Sequence, residues 1–367
     1  MSDPIKHECG IGLIRLRKPL SYYQKKYGSP LWGLNKMYLL LEKQHNRGQD
    51  GAGLATIKMD VSEGQPYLAR KRNNQAAPLT GLFQSFHKEL EALERKFPGI
   101  QQDCDLLQKH FKFAGELLLG HLRYGTHGDN TLDACHPVIR SNNWRARTLA
   151  IAGNFNLTNV PELFEYLVGL GQHPRFISDT ETVLERIGHF LDEENERLFE
   201  KFKGKRQTNH TISKSIAHSL DIRRILQRAA KRWDGGYVMG GLIGSGDAFV
   251  ARDPNSIRPC HYYVHEDFVV VASERPAIST VFNVPYDKIK ELPGGSVMTI
   301  RRNGEVKLKS FTEAREKKSC SFERIYFSRG NDPDIYRERL ELGNILVPKI
   351  MDAVGHDLDH TVFSYIP

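Results

Sequence analysis

MSDPIKHECGIGLIRL, residues 1–16, sets a cysteine, Cys9, behind eight mostly polar residues and ahead of a small, apolar run. The leader has no apolar h-region and no small-residue cleavage site, so it does not read as a secretory signal. CGIGLIRL (9–16) reads as a strand, and GAGLATIKM (51–59) as a second. Between them lie a helical stretch, LWGLNKMYLLLEKQHN (31–46), and the polar loop RGQDGAG (47–53). Further strands are expected in ELLLGHLRYGTH (116–127), TLAIAGNFNLTN (148–159) and FVVVAS (268–273). Two more segments read as hairpins: GYVMGGLIGSGDAFVARDP (236–254), turning at Gly244–Asp247, and GGSVMTIRRNGEVKLKS (294–310), turning at Asn303-Gly304. Hairpin-linked strands favour an α+β fold with antiparallel sheets over a doubly wound parallel one.

The remaining segments are helical or hydrophilic. LFQSFHKELEALERKF (82–97) is a helix that Pro98-Gly99 ends, within a less patterned region near 60–115. Helices are expected at VPELFEYLVGLG (160–171) and DTETVLERIGHFL (179–191). The latter fades into DEENERLFEKFKGKRQTNHTISKS (192–215), which reads as an exposed insertion near 192–220. SFERIYFSR (321–329) reads as a new strand followed by a helix, and TVFSYIP (361–367) as the start of another strand, as if the chain stopped early in a further domain.

Composition narrows the function. The chain has 367 residues, 40% hydrophobic and 26% charged, within the ordinary globular range. No apolar run approaches the length of a membrane span. Five scattered cysteines without CxxC spacing argue against a disulfide framework or zinc site and for a reducing compartment, so a cytoplasmic protein is expected. The net charge of +8 raises the question of nucleic acid. The basic cluster DIRRILQRAAKRW (221–233), however, reads as an amphipathic helix with a solvated basic face, and no nucleic-acid-binding signature accompanies it.

The polar loops carry the chemistry. Arg123 and Thr126 end one apolar strand, and Asn154 and Asn156 end another. Asp179 stands at a helix start, where a capping role competes with a binding role. A thiol, a guanidinium, an amide donor and an acid together suit attack on an amino-acid side-chain amide. Arg123 would hold the α-carboxylate, Asp179 the α-ammonium and Asn154 the tetrahedral oxyanion.

Cys9-Gly10-Ile11-Gly12, RGQDGAG, GHLRYGTHG (120–128), NFNLTN (154–159) and SDTE (178–181) occur in an order that resembles the class II glutamine amidotransferases, N-terminal-nucleophile hydrolases of four-layer αββα fold. ARDPNSIRPC (251–260) and SFERIYFSR resemble the branch of that family that makes phosphoribosylamine, the first step of purine biosynthesis. The resemblance implies a propeptide over 1–8, a glutaminase domain over 9–319 with insertions near 60–115 and 192–220, and the beginning of an incomplete phosphoribosyltransferase domain over 320–367.

It also implies roles. Autocatalytic cleavage between Glu8 and Cys9 would free the Cys9 α-amino group, which titrates near ~8 and can serve as base. The backbone N–H of Phe155 would join Asn154 in the oxyanion hole. Arg123, Thr126, His127 and Asp179 would bind L-glutamine, with Arg47 and Gly48 in the supporting loop. For Arg47 and His127, structural hydrogen bonding is the competing role. The glutaminase would need no metal or cofactor; Mg²⁺, phosphoribosyl pyrophosphate and any [4Fe–4S] cluster would come only with the absent part of the second domain. Cys320, which matches a cluster-ligand position of some relatives, reads here as a plain buried thiol because one cysteine cannot hold a cluster. A homo-oligomer without nucleic-acid or membrane partners is implied.

Two departures stand out. The family pattern His-Asn-Gly-Asn is here Gly153-Asn154-Phe155-Asn156, and Asn46 splits the usual Gln-His-Arg-Gly-Gln. A left-handed backbone at Phe155 would cost on the order of 1–3 kcal/mol. Such strain would favour the alternative of an inactive homologue that acts as a binding or regulatory subunit.

Overall fold

A computed structural model describes residues 9–125, 131–175, 177–204 and 208–364. In chain order the elements are β1 (Gly10–Leu16), α1 (Leu20–Tyr27), α2 (Trp32–Glu42), β2 (Gly51–Ile57), β3 (Leu68–Asn73), α3 (Pro78–Lys96), α4 (Cys104–His110), β4 (Leu117–Arg123), β5 (Val138–Arg140) and β6 (Leu149–Leu157). There follow α5 (Val160–Gly169), α6 (Asp179–Lys203), α7 (Asn209–Ser219), α8 (Ile222–Ala229), β7 (Gly235–Ile243), β8 (Ala248–Arg252), β9 (His261–Val264) and β10 (Phe268–Ala272). The last are α9 (Arg275–Phe282), β11 (Lys290–Glu291), β12 (Ser296–Ile300), β13 (Val306–Ser310) and α10 (Pro333–Ala353).

The strands form two antiparallel sheets. One runs β11-β9-β10-β1-β4-β2-β3, the other β13-β12-β8-β7-β6-β5. Alternation along each strand sends successive side chains to opposite faces and builds three apolar layers. Ile14, Leu16, Leu54 and Leu118 face outward from the first sheet onto α1–α4 and α9. Ile151, Phe155, Met239 and Phe249 face outward from the second onto α5–α8. Between the sheets lie Ile11 and Leu13 of β1, Leu117 and Leu119 of β4, Ala150 and Ala152 of β6, and Val238 and Leu242 of β7. The result is the expected αββα sandwich.

Three expectations need correction. The described residues of 192–220 are not an exposed insertion: α6 continues to Lys203, and Leu198, Ile212, Ile216 and Leu220 are buried in the outer core of the second sheet. SFERIYFSR forms no strand; Glu323–Phe327 is a π-helical turn leading to α10. Thr361–Ser364 are not a strand either. Hydrophilic composition misled in the first case, because long helices bury only a stripe.

Candidate active site

The alternation that builds the central layer also builds the site. Cys9 continues the inward series Leu13, Ile11 of β1 and is 4% exposed. On β4 the inward series Leu117, Leu119 continues to His121 and Arg123, both buried. On β6 the series Ala150, Ala152 continues to Asn154, 1% exposed. Because β1 pairs with β4 through Gly10↔Leu122, Cys9 and Arg123 leave neighbouring strands at the same end of the sheet. The histidine links the two sheets, its His121 Nε2 lying 3.2 Å from the Gly153 carbonyl oxygen. Thiol, guanidinium and carboxamide therefore converge on one end of the apolar layer.

Loop RGQDGAG fits around this end by close approach. An added Cβ at Gly48 would lie 2.6 Å from the Arg123 carbonyl carbon, and one at Gly53 would lie 2.0 Å from the His136 carbonyl oxygen. Asp50 caps the far side of the same turn, its Oδ2 accepting from the Gly125 N–H at 2.7 Å. Thr126, His127 and Glu8 lie outside the described residues.

Asp179 is the first residue of α6, and the cap is Ser178, whose side chain accepts from the Glu181 N–H. Asp179 is thus relieved of the capping role. Its Oδ1 accepts from the Thr180 N–H at 2.7 Å, yet burial raises the carboxyl from the usual 3.8 to about 6. The adjoining Thr180 hydroxyl meets His136 Nε2 at 2.9 Å, and the other ring nitrogen of His136 accepts from the Gly153 N–H at 3.2 Å. His136 therefore ties the start of α6 to the Asn154 strand.

Arg47 does not face the site as a free cation. It is wholly buried, with Nε 2.8 Å from Glu274 Oε1 and Nη2 2.6 Å from Glu323 Oε2. This favours the structural role over direct substrate contact. The other Glu323 oxygen accepts from Asn154 Nδ2 at 3.0 Å and lies 3.5 Å from Arg258 Nη1. Glu274, Glu323, His121 and His136 were not legible as site residues in the sequence. A buried Arg47 does demand an acidic partner, and that demand was the one available signal.

Glu274 and Glu323 also line a cavity of about 150 Å³ with Arg252, His261, Arg275 and Cys320. Burial lowers the His261 imidazole to about 4. Among the described residues the one group of metal-ligating type is His265, Glu266 and Asp267. Asp267 there is engaged by Tyr22, Lys26 and Tyr27. Cys320 belongs to no such group.

No family model matches the chain. Amidophosphoribosyltransferases of Archaeoglobus fulgidus and Bacillus subtilis are each 27% identical to it, over 318 and 328 residues, or 84% and 86% of its length. Over most of its length the chain is similar to the amidophosphoribosyltransferases. It spans about half the length of these relatives, 54% and 55%. A solved B. subtilis glutamine phosphoribosylpyrophosphate amidotransferase, complexed with ADP and GMP, matches with TM-score 0.56 at 23% identity, over 88% of this chain and 53% of that one. At that identity the likeness concerns the fold, and it is the αββα arrangement described above.

Against the amidophosphoribosyltransferase pattern, both departures acquire a structural account. Phe155 lies in regular extended strand, not in left-handed backbone, so the feared strain is absent. Its ring occupies the space above Gly153, where an added Cβ would sit 2.4 Å from the ring. The backbone N–H of Phe155 is also spared by the β7 ladder. Its partner across β7, Tyr237, exchanges bonds with Asp253 on the opposite side instead. Asn46, the extra residue, clasps the C-terminal segment: its Nδ2 donates to Glu274 and to the Phe327 carbonyl, and its Oδ1 accepts from Arg329 Nε at 3.1 Å.

Proposed function

We propose that this chain is the glutamine-hydrolysing part of an amidophosphoribosyltransferase, releasing ammonia for phosphoribosylamine synthesis. The observation that carries this reading is the convergence of Cys9, Arg123 and Asn154 on the inner face of one end of the sandwich. Asp179 stands at the head of the adjoining helix.

Removal of Met1–Glu8 leaves Cys9 as the first residue. Its α-amino group takes the thiol proton as sulfur attacks the glutamine side-chain carbonyl carbon. The tetrahedral oxyanion accepts from Asn154 Nδ2 and from the Phe155 N–H, donors whose loss individually costs ~3–4 kcal/mol of barrier. Collapse breaks the C–N bond, and the proton held by the α-amino group leaves with the amide nitrogen as ammonia. Water then attacks the thioester, giving glutamate and regenerating the thiol. Arg123 holds the α-carboxylate and Asp179 the α-ammonium, with Thr126 and His127 completing the glutamine pocket. The reaction balances without a metal or cofactor. Transfer of the ammonia to phosphoribosyl pyrophosphate would belong to the remaining length of the longer relatives.

Intact mass of the purified protein, with and without an electrophilic glutamine analogue, tests the reading. Loss of residues 1–8 and a single adduct on Cys9, together with glutamate release from glutamine, is expected. A full-length mass with no adduct would favour the inactive-homologue reading.

A further inference from the structure

We infer that Glu323, carried by the segment beyond the sandwich, is a positioning residue that fixes the orientation of the Asn154 carboxamide; the inference rests on the glutaminase reading above. An asparagine amide presents either an acceptor oxygen or a two-proton donor to a given neighbour, and the two ends have nearly the same shape. In an oxyanion hole only one orientation works. A carboxylate accepts and does not donate, so the atom 3.0 Å from Glu323 Oε1 has to be Asn154 Nδ2. Turning the amide over would set Oδ1 against a carboxylate oxygen in a buried site. One N–H of Nδ2 is held by Glu323, and the second remains for the oxyanion. Among the described residues Asn154 Oδ1, itself buried, has no hydrogen-bond partner, so the Glu323 contact is the side-chain hydrogen bond seen to orient the amide.

A carboxylate beside a developing oxyanion would oppose the reaction if its charge stood alone. It does not. Arg47 Nη2 is 2.6 Å and Arg258 Nη1 3.5 Å from Glu323, while Arg47 is shared with Glu274. Two guanidinium groups balance two carboxylates, and all four side chains are buried. Glu323 can therefore orient a dipole without adding net charge to the site.

The carrier is fixed at several points. The Phe327 ring meets Tyr124 edge-on at 5.3 Å, and Asn46 binds both the Phe327 carbonyl and the Arg329 guanidinium. Tyr124 directly follows Arg123, so the same segment touches the strand that bears the proposed carboxylate-binding guanidinium. The π-helical turn at Glu323–Phe327 leads through Arg275–Asp332 contacts into α10. The orientation of the oxyanion donor is thereby made to depend on chain that lies outside both sheets.

Steady-state hydrolysis of L-glutamine by the processed protein tests this, with Glu323→Gln and Glu323→Asp made in the wild-type and Asn154→Ala backgrounds. A glutamine side chain offers Asn154 either an oxygen or a nitrogen and so releases the amide. Aspartate keeps the charge near Arg47 and Arg258 but withdraws it from Asn154. Each is expected to lower kcat about tenfold, less than the 10²–10³ typical of losing an oxyanion donor, with KM within about twofold. Labelling of Cys9 by the glutamine analogue should persist, and neither change should lower kcat further once Asn154 is alanine. Should Glu323→Gln not fold, Glu323→Asp decides. Unchanged kcat, a change confined to KM, or an equal loss in the Asn154→Ala background would overturn the proposal and leave the glutaminase reading standing. A processed wild-type protein that neither hydrolyses glutamine nor takes the label would remove that reading, and the proposal with it.

Discussion

Gly153 and Phe155 share one volume: the Phe155 ring lies where a Cβ on residue 153 would stand, 2.4 Å away. The two positions are two apart on β6, so both side chains point to the helical face, while Asn154 between them points to the central layer. The ring also stacks on His136 at 5.4 Å, and His136 accepts from the Gly153 N–H. The glycine at 153 and the phenylalanine at 155, the two changes within the resembled His-Asn-Gly-Asn motif, therefore fit one another sterically. Gly153→Ala alone should overpack the site and cost about 1–3 kcal/mol, read as a lower urea midpoint. The double change Gly153→His with Phe155→Gly should recover stability relative to Gly153→His alone. Simple additivity of the two would show that the positions are independent.

The strands of the sandwich could be read from the sequence because their alternation is strict and their turns carry glycine or Asn-Gly. Both hairpins, 236–254 and 294–310, fall where expected. β3 could not be read: half of its LARKRN is charged, as suits a strand at the sheet edge, where one side faces solvent. The site was half legible. Cys9 directly precedes β1 and Arg123 ends β4, whereas Asn154, expected at a strand end, lies inside β6 with three strand residues after it; the alternation still places all three on the inner face. Glu323 contacts Asn154 across 169 residues of sequence, and no local periodicity encodes such a meeting. Asp179 was read at the helix start, but which residue caps that helix depends on a single side-chain rotamer.

Asp179 should make both ligand binding and stability depend on pH. Burial holds its carboxyl at about 6 rather than the usual 3.8. In its proposed role the ionised form binds the α-ammonium. The affinity of a Cys9→Ala protein for glutamine should then weaken about tenfold per pH unit below about 6. For stability the sign is opposite to that of a salt-bridged carboxylate. A raised folded pKa favours the fold at low pH, and this advantage is lost as pH rises through about 6. Asp179→Asn should therefore stabilise the free protein at pH 7, by about 1–2 kcal/mol after allowance for solvent screening, and not at pH 4. An equal gain at both pH values would assign the effect to packing.

Arg47 joins two buried carboxylates that come from distant parts of the chain, Glu274 and Glu323. Removing one member of a buried charge pair leaves the others uncompensated and typically costs 3–5 kcal/mol. Arg47→Met should fall in that range by urea denaturation. Arg47→Lys should recover little, because a single ammonium cannot span both carboxylates as the guanidinium fork does. A loss below about 1 kcal/mol for Arg47→Met would mean that water enters and solvates the two acids.

The region 192–220 offers a contrast between composition and packing. Leu198 and Ile212 are each 1% exposed although their neighbours are mostly charged or polar. Truncation to alanine at either position should cost about 2–5 kcal/mol, as for any core aliphatic. A surface insertion would tolerate the same changes within about 0.5 kcal/mol.

Gly48 separates two ways in which a glycine can be required. Its φ of −175° is ordinary extended backbone, so alanine would meet no conformational penalty there. The obstacle is contact: the new Cβ would lie 2.6 Å from the carbonyl carbon and 2.7 Å from the carbonyl oxygen of Arg123, and backbone cannot swing aside as a side chain can. Relief requires the end of β4 to shift, and Arg123 shifts with it. Gly64 is the reverse case, with φ +78° and nothing within 4 Å of an added Cβ. Gly64→Ala should therefore lower stability by about 1 kcal/mol through backbone strain and leave the KM for glutamine unchanged. Gly48→Ala should raise that KM severalfold, because the guanidinium proposed to hold the α-carboxylate has moved. If the two variants instead lost stability alike and kept the same KM, Arg123 would not be the carboxylate-binding residue.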